Sequence, residues 1–384
     1  MLDKKIKVIA VTGTRADYGI YHPILKQLEA DPTFDLNLIV TGMHLSPFYG
    51  NTIDEIRKDG FKIASTVDIL LQGSSSANMS KSVGLGILGM TQVFESIEPD
   101  LVLALGDRGE MLSAAIAASH MNIALAHLHG GEVSGSIDES VRHAISKFAH
   151  IHFPATTKSS YRLEKMGEEF WRIHTVGAAR LDSILKADLP SIKNVKKKYH
   201  LNFNGNYYLL VFHPVTTEIG QIRKQIQTIF NVLLEEDMHF IVIKPNSDAG
   251  NEEILSFYEE HSHNHKISFV TNFNHLDYLT VLKNSSSLIG NSSSGIIEAA
   301  SFRVPVINIG ERQKGRERSG NVIDTSYDYN DIKNSIKHMK TEEFKKKLQY
   351  SNNVYGDGKT SERIAEILKG ISFNEKLFKK RLSY

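Results

Sequence analysis

The chain has 384 residues, a length that predicts about two domains, and its 41% hydrophobic and 23% charged residues predict a full core without disorder. Lys and Arg together number 45 and Asp and Glu 44, a balance that disfavours binding to nucleic acid or to a membrane by bulk charge. Cysteine is absent, which excludes disulfides, cysteine-ligated metals and thiol nucleophiles, so any catalysis must use the 17 histidines, carboxylates, hydroxyls and arginines.

Short apolar runs alternate with amphipathic segments along the chain, a pattern typical of parallel sheets covered by helices on both faces. Two successive sets of strands predict two doubly wound α/β domains of the Rossmann type rather than one closed barrel. Helical spacing is found at residues 140–148 and 221–234. In chain order, the predicted strands are residues 7–12, 36–41, 101–105, 123–128, 150–153 and 172–176, then 207–212, 239–243, 266–271, 287–290 and 305–309.

A Leu-Pro step and a lysine run interrupt this pattern at residues 188–198. We therefore expect a first domain at residues 1–187, a second at residues 188–360, and a helix with a basic segment at residues 361–384 that packs back on the first domain. Ligands of open α/β sheets bind outside the carboxyl ends of strands, so we expect the two domains to face a common cleft. The apolar stretches are too short or too interrupted for a signal sequence or a membrane span, and we expect a cytoplasmic protein.

Polar side chains follow the predicted strands of the first domain. Arg15 offers a fork for phosphate, although a surface arginine on a tight turn gives the same pattern. Asp107 and Arg108 could form a local salt bridge, or they could be a catalytic acid beside a phosphate ligand. Two acids that begin the helix near residue 138 could simply complement its dipole. The loop and helix after the strand at 123–128 add His129, Glu132, Asp138, Glu139, Arg142 and His143.

The strand ends of the second domain carry a different set of groups. His213 follows its first strand, and residues 290–298 run through a Ser/Gly turn into a helix, which offers hydroxyls and N–H groups to an anion. Glu298 could accept hydrogen bonds from a ribose diol, and Arg312 adds a cation after another strand. The turn itself contains Ser292, Ser293, Ser294 and Gly295.

Three other patterns favour structural interpretations. Residues 84–89 match the dinucleotide fingerprint, but they follow a polar segment and not a strand, so we interpret the glycines as a close-packed helix face. Tyr161 and Lys165 match the pair of short-chain dehydrogenases, yet the first strand lacks the required glycine-rich turn, and an exposed helix is expected. Strand alternation places His127 and His129 on one face, where they could bind a metal, although such hydrolases usually have an eight-stranded barrel.

The loops after the predicted strands contain a series of motifs in a fixed order. They are Thr14-Arg15-Ala16-Asp17-Tyr18, Gly42-Met43-His44, Gly106-Asp107-Arg108, His129-Gly130-Gly131-Glu132, His213-Pro214, Pro245-Asn246, Gly290-Asn291-Ser292-Ser293 and Arg312-Gln313. Taken together, these motifs resemble the hydrolysing UDP-N-acetylglucosamine 2-epimerases of sialic acid pathways, and the likeness extends from about residue 7 to residue 365. Close relatives in that family act on UDP-N,N′-diacetylbacillosamine in legionaminic acid synthesis.

The resemblance implies a glycosyltransferase-B-like fold, no cofactor, no metal and a homodimer or homotetramer. It implies elimination of UDP to a glycal and rehydration with inversion at C2, which yields UDP and a free manno-configured sugar. It also implies that His213 and Asn246 contact the nucleotide. The implied catalytic residues are Asp107, His129, Glu132, Asp138, Glu139 and His213, and the implied substrate-binding residues are Arg15, Asp17, His44, Arg108, Arg142, His213, Asn246, Ser292, Ser293, Ser294, Gly295, Glu298 and Arg312.

Departures from the family pattern leave the C2 base open. Some members have histidine where this chain has Leu105, glutamate where it has His129, and serine where it has Gly19. Both His129 and Glu132 could act as the base. The alternatives to a hydrolysing epimerase are a UDP-sugar glycosyltransferase of the same architecture, a non-catalytic nucleotide-sugar sensor and an NAD-dependent sugar epimerase.

Overall fold

The computed structural model describes residues 5–47, 50–71, 76–133, 137–215, 217–245 and 250–384. The chain forms two compact units. The first unit comprises Met1–Ser183 and Tyr355–Tyr384, and the second unit comprises Ile184–Val354. Among the described residues, no helix combines the length and the apolar character that crossing a membrane requires.

Each unit is built on a six-stranded parallel sheet, and the α/β fold class expected from the sequence is confirmed. The strand order is β3-β2-β1-β4-β5-β6 in the first unit and β12-β11-β10-β7-β8-β9 in the second. The strands are β1 (Ile6–Thr12), β2 (Phe34–Thr41), β3 (Ile63–Val67), β4 (Leu101–Leu105), β5 (Ala124–Leu128), β6 (Ile151–Phe153), β7 (Tyr207–Val211), β8 (His239–Ile243), β9 (Ile267–Val270), β10 (Ser287–Gly290), β11 (Val306–Ile309) and β12 (Val322–Thr325).

Helices cover the sheets, which explains why central strands such as β4, β5 and β7 are buried along their whole length. The helices of the described residues are α1 (Arg15–Glu29), α2 (Ile53–Lys58), α3 (Ser76–Ile97), α4 (Gly109–His120), α5 (Ile137–Phe148), α6 (Thr157–Lys165), α7 (Arg180–Lys186), α8 (Ile192–Lys198), α9 (Ile222–Leu234), α10 (Asn251–Glu260), α11 (His275–Asn284), α12 (Ser293–Ile297), α13 (Tyr329–Met339), α14 (Glu342–Gln349), α15 (Thr360–Lys369) and α16 (Glu375–Phe378).

The strand predicted at residues 172–176 is wrong. The chain instead makes a 3-10 turn at Phe170–Arg172, and a single bridge pairs Ile173 with His152. The reason lies in Arg172, whose fully buried guanidinium donates to the carbonyls of His150 and Leu377 at 3.1 and 2.8 Å. A side chain with that many donors requires a loop of free carbonyls around it, which a sheet ladder does not offer.

Two strands of the structure were not predicted, β3 and β12. Each lies at an edge of its sheet and is only partly buried. An edge strand has one neighbour and one exposed flank, so its sequence lacks the continuous apolar run that marked the central strands. The segment after residue 355 belongs to the first unit, where α15 packs on α1 and buries Ile364 and Leu368 in the core.

Candidate active site

The strand order reverses at one place in each sheet, between β1 and β4 in the first unit and between β7 and β10 in the second. Loops after two such strands diverge to opposite faces and leave a crevice at their carboxyl ends, where ligands of doubly wound folds bind. In the first unit, the candidate site lies at the ends of β1 and β4 and in the neighbouring loop after β5. In the second unit, it lies at the ends of β7 and β10.

The loop after β1 is held from within by Asp17. Its carboxylate accepts hydrogen bonds from the Thr12 hydroxyl at 2.6 Å and from the N–H groups of Gly13 and Thr14 at 3.1 Å. Thr14 caps α1 and completes a capping box with Asp17. Burial raises the pKa of Asp17. Arg15, by contrast, is exposed, with its Nε 3.3 Å from Glu55.

His44 supports the same loop from the neighbouring strand end. It is fully buried, with Nε2 3.0 Å from the Thr12 hydroxyl and Nδ1 2.7 Å from the hydroxyl of Thr52. Burial lowers the pKa of His44 to about 4, so the ring is neutral at physiological pH. Asp17 and His44 therefore organise the loop through Thr12, and a direct contact of either with substrate stays a prediction.

Glu110, in the first turn of α4, is a buried acid that sequence reasoning did not select. It lies 3.4 Å from the Arg108 guanidinium. It also lies under two loops, because a Cβ added at Gly13 or Gly42 would come within 2.9 or 2.7 Å of Glu110 Oε1. The only signal in the sequence was its place in the Gly-Asp-Arg-Gly-Glu run, and an acid in a first helical turn is usually explained by the helix dipole.

Asp107 forms a hydrogen-bonded ion pair with Arg142. Arg142 is buried on α5, and it also donates to the backbone carbonyl of Glu132 at 3.1 Å. One guanidinium thereby ties the loop after β4 to the loop after β5. Of the residues predicted to bind substrate, Arg142 is thus placed as the partner of a predicted catalytic acid.

His129 and Glu132 form the second pair of this site. His129 Nδ1 lies 2.6 Å from Glu132 Oε1, and within the described residues His129 Nε2 is buried without a hydrogen-bond partner. A carboxylate at Nδ1 fixes the ring proton there and leaves the lone pair on Nε2, the arrangement of an oriented general base. The backbone of His129 is left-handed, with φ of 61°, and its N–H donates to the Phe153 carbonyl.

Strand β5 ends at Leu128 and His129 has a left-handed backbone, so the strand alternation that predicted a common face for His127 and His129 does not extend to His129. His127 is fully buried, and its two ring nitrogens bind the Ser146 hydroxyl at 3.0 Å and the Gly106 carbonyl at 2.8 Å. Burial lowers the pKa of His127 to about 3. The described residues contain no group of three His, Asp or Glu side chains arranged for a metal ion.

The remaining predicted acids of this unit begin α5. Asp138 is exposed, and Glu139 Oε1 lies 3.7 Å from His143 Nε2, one turn further along the helix. They share α5 with Arg142, so the helix carries an acid–base cluster that contacts the loop of Asp107 through Arg142.

In the second unit, Asn291 connects three loops and was not selected from the sequence. Its amide group binds both backbone groups of His213, accepting from the N–H and donating to the carbonyl, each at 2.8 Å. Its own carbonyl accepts from Arg312 Nη1 at 3.2 Å and Gln313 Nε2 at 2.9 Å. The preceding Gly290 allows this approach, because its φ is 128° and a Cβ there would lie 2.1 Å from the Val211 carbonyl oxygen.

The serine turn continues from Asn291 into α12. Ser292 caps this short helix, its hydroxyl lies 3.0 Å from that of Ser294, and Ser294 is also hydrogen-bonded to Tyr278. Gly295 packs against the side chain of Val306, so it serves the helix–sheet contact. Glu298 is buried at the end of α12. Asn246 lies outside the described residues.

The structural interpretation of the other motifs is confirmed. Residues 84–89 lie inside α3, where a Cβ at Gly86 would come within 2.5 Å of the Ser113 hydroxyl and one at Gly89 within 2.4 Å of Val67. Tyr161 is 57% exposed on α6, and its ring lies next to the ammonium group of Lys165. Neither motif belongs to the strand-end site.

Comparison with known proteins identifies the family. The sequence model described as UDP-N-acetylglucosamine 2-epimerase matches residues 26–369. A hydrolysing UDP-N,N′-diacetylbacillosamine 2-epimerase of Legionella pneumophila is 44% identical over 98% of this chain and 99% of its own length. A hydrolysing GDP/UDP-N,N′-diacetylbacillosamine 2-epimerase of Campylobacter jejuni is 36% identical over 89% of each chain.

Solved structures agree on the fold. The crystal structure of UDP-N-acetylglucosamine 2-epimerase from Neisseria meningitidis bound to UDP-N-acetylglucosamine superposes with a TM-score of 0.79 at 20% identity, over 95% of this chain and 100% of that one. The glycosyltransferase-B-like fold implied by the motifs is confirmed, as is the enzyme type. The chain belongs to the UDP-N-acetylglucosamine 2-epimerase family, in which the relatives from Legionella pneumophila and Campylobacter jejuni are hydrolysing enzymes.

Proposed function

We propose that this chain hydrolyses UDP-N,N′-diacetylbacillosamine with inversion at C2, giving UDP and free 2,4-diacetamido-2,4,6-trideoxymannose for nonulosonic acid synthesis. The substrate follows from the relative from Legionella, whose 44% identity exceeds the 35% of the Neisseria UDP-N-acetylglucosamine enzyme. UDP-N-acetylglucosamine, with N-acetylmannosamine as product, is the second candidate. The observation that carries the chemistry is the His129–Glu132 pair beside the Asp107–Arg142 pair at neighbouring strand ends.

The first chemical step is an elimination. The C1–O bond breaks and UDP leaves with its electron pair, while the C2 proton passes to a base and the C1=C2 double bond forms. No carbonyl activates this C–H bond, so cleavage of the C1–O bond must be more advanced than proton transfer. The oxocarbenium character that this cleavage builds makes the C2 proton more acidic. The base then needs only a moderate pKa, which suits an imidazole.

We assign the C2 base to Nε2 of His129. Glu132 accepts the Nδ1 proton, orients the ring and stabilises the imidazolium that forms on proton transfer. In the second step, water adds to the glycal: hydroxide goes to C1 and a proton to C2 from the opposite face. Asp107, held by Arg142, and the acids of α5 are the groups that supply this proton.

The second unit supplies the groups for the leaving diphosphate in this proposal. Arg312 donates to the backbone carbonyl of Asn291, and the hydroxyls of Ser292 and Ser294, which follow Asn291 in the chain, lie 3.0 Å apart. Cationic and hydroxyl donors placed where negative charge develops stabilise the transition state without reorganisation. Glu298 is assigned to the ribose. We also propose that the protein is a homodimer or homotetramer in the cytoplasm. Light scattering after gel filtration measures its oligomeric state.

The test is incubation with each UDP-sugar in deuterated water. We expect UDP and a free 2-epimer that carries deuterium at C2, with UDP-N,N′-diacetylbacillosamine turned over faster than UDP-N-acetylglucosamine. Transfer of the intact sugar to an acceptor, with hydrogen retained at C2, would identify a glycosyltransferase instead. No turnover of either nucleotide sugar, or of the GDP analogue, would refute the proposed function.

His129 is tested separately by substitution. His129→Gln should reduce kcat by about 10²- to 10⁴-fold, the usual contribution of a general base. Glu132→Gln should reduce kcat less, because the ring keeps a hydrogen-bond partner but loses the charge that stabilises imidazolium. The matched control is His120→Gln, on the exposed end of α4. Turnover of His129→Gln equal to that of the control would move the base to another residue.

A further inference from the structure

A buried polar cluster in the first unit lies outside the candidate site and has no role in the chemistry above. It joins the segment of residues 374–380, here called the clamp segment, to the end of α5. Lys380 Nζ donates to the carbonyls of Ser146, Lys147 and Ala149 at 3.0, 2.9 and 2.7 Å. Ser146 and Lys147 lie in the last turn of α5 and Ala149 follows it, so a single ammonium group caps the carboxyl end of that helix.

The clamp segment is itself fixed to the first unit. Lys380 Nζ lies 2.5 Å from Glu168, a fully buried carboxylate that also binds His152 at 2.9 Å and Lys147 at 2.7 Å. Arg172 donates to the carbonyl of Leu377 in the middle of the segment. Burial raises the pKa of Glu168, but the hydrogen bond from His152 and the charge of Lys380 outweigh it and lower that pKa to about 2.

A continuous line of hydrogen bonds leads from the cap to the loop of Asp107. The Ser146 carbonyl accepts a hydrogen bond from Lys380 Nζ, and the Ser146 hydroxyl donates one to His127 Nδ1 at 3.0 Å. His127 Nε2 donates to the carbonyl of Gly106, the residue before Asp107, at 2.8 Å. Ser146 and His127 are fully buried, and His127 is neutral and fully partnered.

We propose that Lys380 is a positioning residue for the reaction: it sets the place of α5 and, through Ser146 and His127, the place of the loop that carries Asp107. The helix and the loop meet again at the Arg142–Asp107 ion pair, so both ends of the acid–base cluster depend on the clamp segment. This inference deepens the proposed function and rests on it for its kinetic consequences, whereas its structural consequences are independent of the substrate.

The kinetic experiment compares Lys380→Met with Lys379→Met. The control removes a neighbouring lysine of the same segment, whose side chain is 65% exposed and pairs with Glu375, one turn away on α16. We expect Lys380→Met to lower kcat at least about tenfold, because a small misplacement of reacting groups is costly, while KM and the affinity for UDP stay near the wild-type values. Lys380→Arg should restore most of kcat. Lys379→Met should behave as wild type.

The structural experiment measures hydrogen–deuterium exchange of residues 137–149 in the same variants. Lys380→Met should raise exchange there and Lys379→Met should not, and this arm remains decisive even if the wild-type protein turns over none of the UDP-sugars. Ser146→Ala tests the line of hydrogen bonds independently. In the double variant with Lys380→Met, the two losses of kcat should not add, because both substitutions interrupt the same line.

Two results would overturn the proposal. The first is a Lys380→Met variant whose exchange in α5 and whose kcat both match those of Lys379→Met. The second is a variant that lowers the melting temperature but keeps kcat per folded molecule, which would show that the clamp segment only stabilises the unit. If Lys380→Met does not fold, the exchange in α5 and the kcat of Lys380→Arg and Ser146→Ala test the proposal instead.

Discussion

The two units share one topology, yet their strand ends carry different chemistry. In the first unit, ionisable side chains face one another in pairs: Asp107 with Arg142 and His129 with Glu132. In the second unit, the side chain of Asn291 binds the backbone of His213, and its own backbone carbonyl accepts from Arg312. Paired side chains that are able to exchange protons thus characterise the first unit, whereas donor groups able to hold an anion characterise the second.

The units also differ in how they bury histidine. The first unit buries four histidines whose pKa burial lowers: His127 to about 3, and His44, His150 and His152 to about 4. In the second unit burial lowers the pKa of the half-buried His239. Neutral buried rings can accept as well as donate hydrogen bonds, and His127 uses both of its ring nitrogens to support the loop of Asp107.

The largest effect that this comparison predicts is on turnover by Asp107→Asn. The substitution keeps the size of the side chain but removes its charge and its proton-transfer capacity. We expect kcat to fall about 10³-fold, within the usual range for an acid–base group, with little change in UDP affinity. Steady-state kinetics and calorimetric titration with UDP measure the two quantities.

The matched control for this variant is Asp35→Asn, a half-exposed carboxylate of the same unit that pairs only with Lys62 at 3.5 Å. It should change neither quantity. If Asp107→Asn weakens UDP binding as much as it slows turnover, the division of roles between the two units is wrong.

A smaller effect, on binding, is expected from Arg312→Met in the second unit. A hydrogen bond to a charged group contributes about 1.5 to 3 kcal/mol, so UDP should bind about 10- to 100-fold more weakly. Lys314→Met is the control, because Lys314 is exposed and pairs with Glu311 at 2.6 Å. Equal UDP affinity in the two variants would remove Arg312 from the diphosphate site.

The contrast between the units was partly visible in the sequence. Central strands are buried on both faces, so their apolar runs predicted β4, β8 and β10 at their observed bounds. The motifs after β4 and β10 predicted loops that carry charged and hydroxyl groups, whereas Asn246, in the motif after β8, lies outside the described residues. Local sequence was sufficient here because strand and motif are adjacent in the chain.

Contacts between distant residues could not be predicted in this way. Asp107 and Arg142 are 35 positions apart, and the left-handed backbone of His129 depends on a carbonyl of the next strand. Asn291 binds the backbone of His213 across 78 positions. Such pairings follow from the order of strands in the sheet, which no single segment encodes, and for that reason Glu110 and Asn291 were overlooked.

The smallest predicted effect is on acid stability, and it compares the units directly. A buried histidine with a pKa near 4 and an unfolded pKa near 6.5 binds its proton first in the unfolded chain. Its contribution to stability is therefore full above pH 6.5 and is lost as the pH falls towards 4. We expect each such histidine to cost the first unit about 2 kcal/mol of unfolding free energy between pH 6.5 and 4.5.

The single tryptophan, Trp171, lies in the first unit and reports on it by fluorescence, whereas far-UV circular dichroism reports on both units. Between pH 6.5 and 4.5 the urea midpoint from fluorescence should fall further than the midpoint from dichroism. His150→Asn should reduce that fall, because His150 Nδ1 accepts a hydrogen bond from the Leu125 N–H at 3.1 Å and an amide oxygen accepts it without titrating. His120→Gln, on an exposed helix end, should leave the fall unchanged. Equal shifts by the two probes would mean that burying histidine does not distinguish the units, and that their difference is confined to the strand ends.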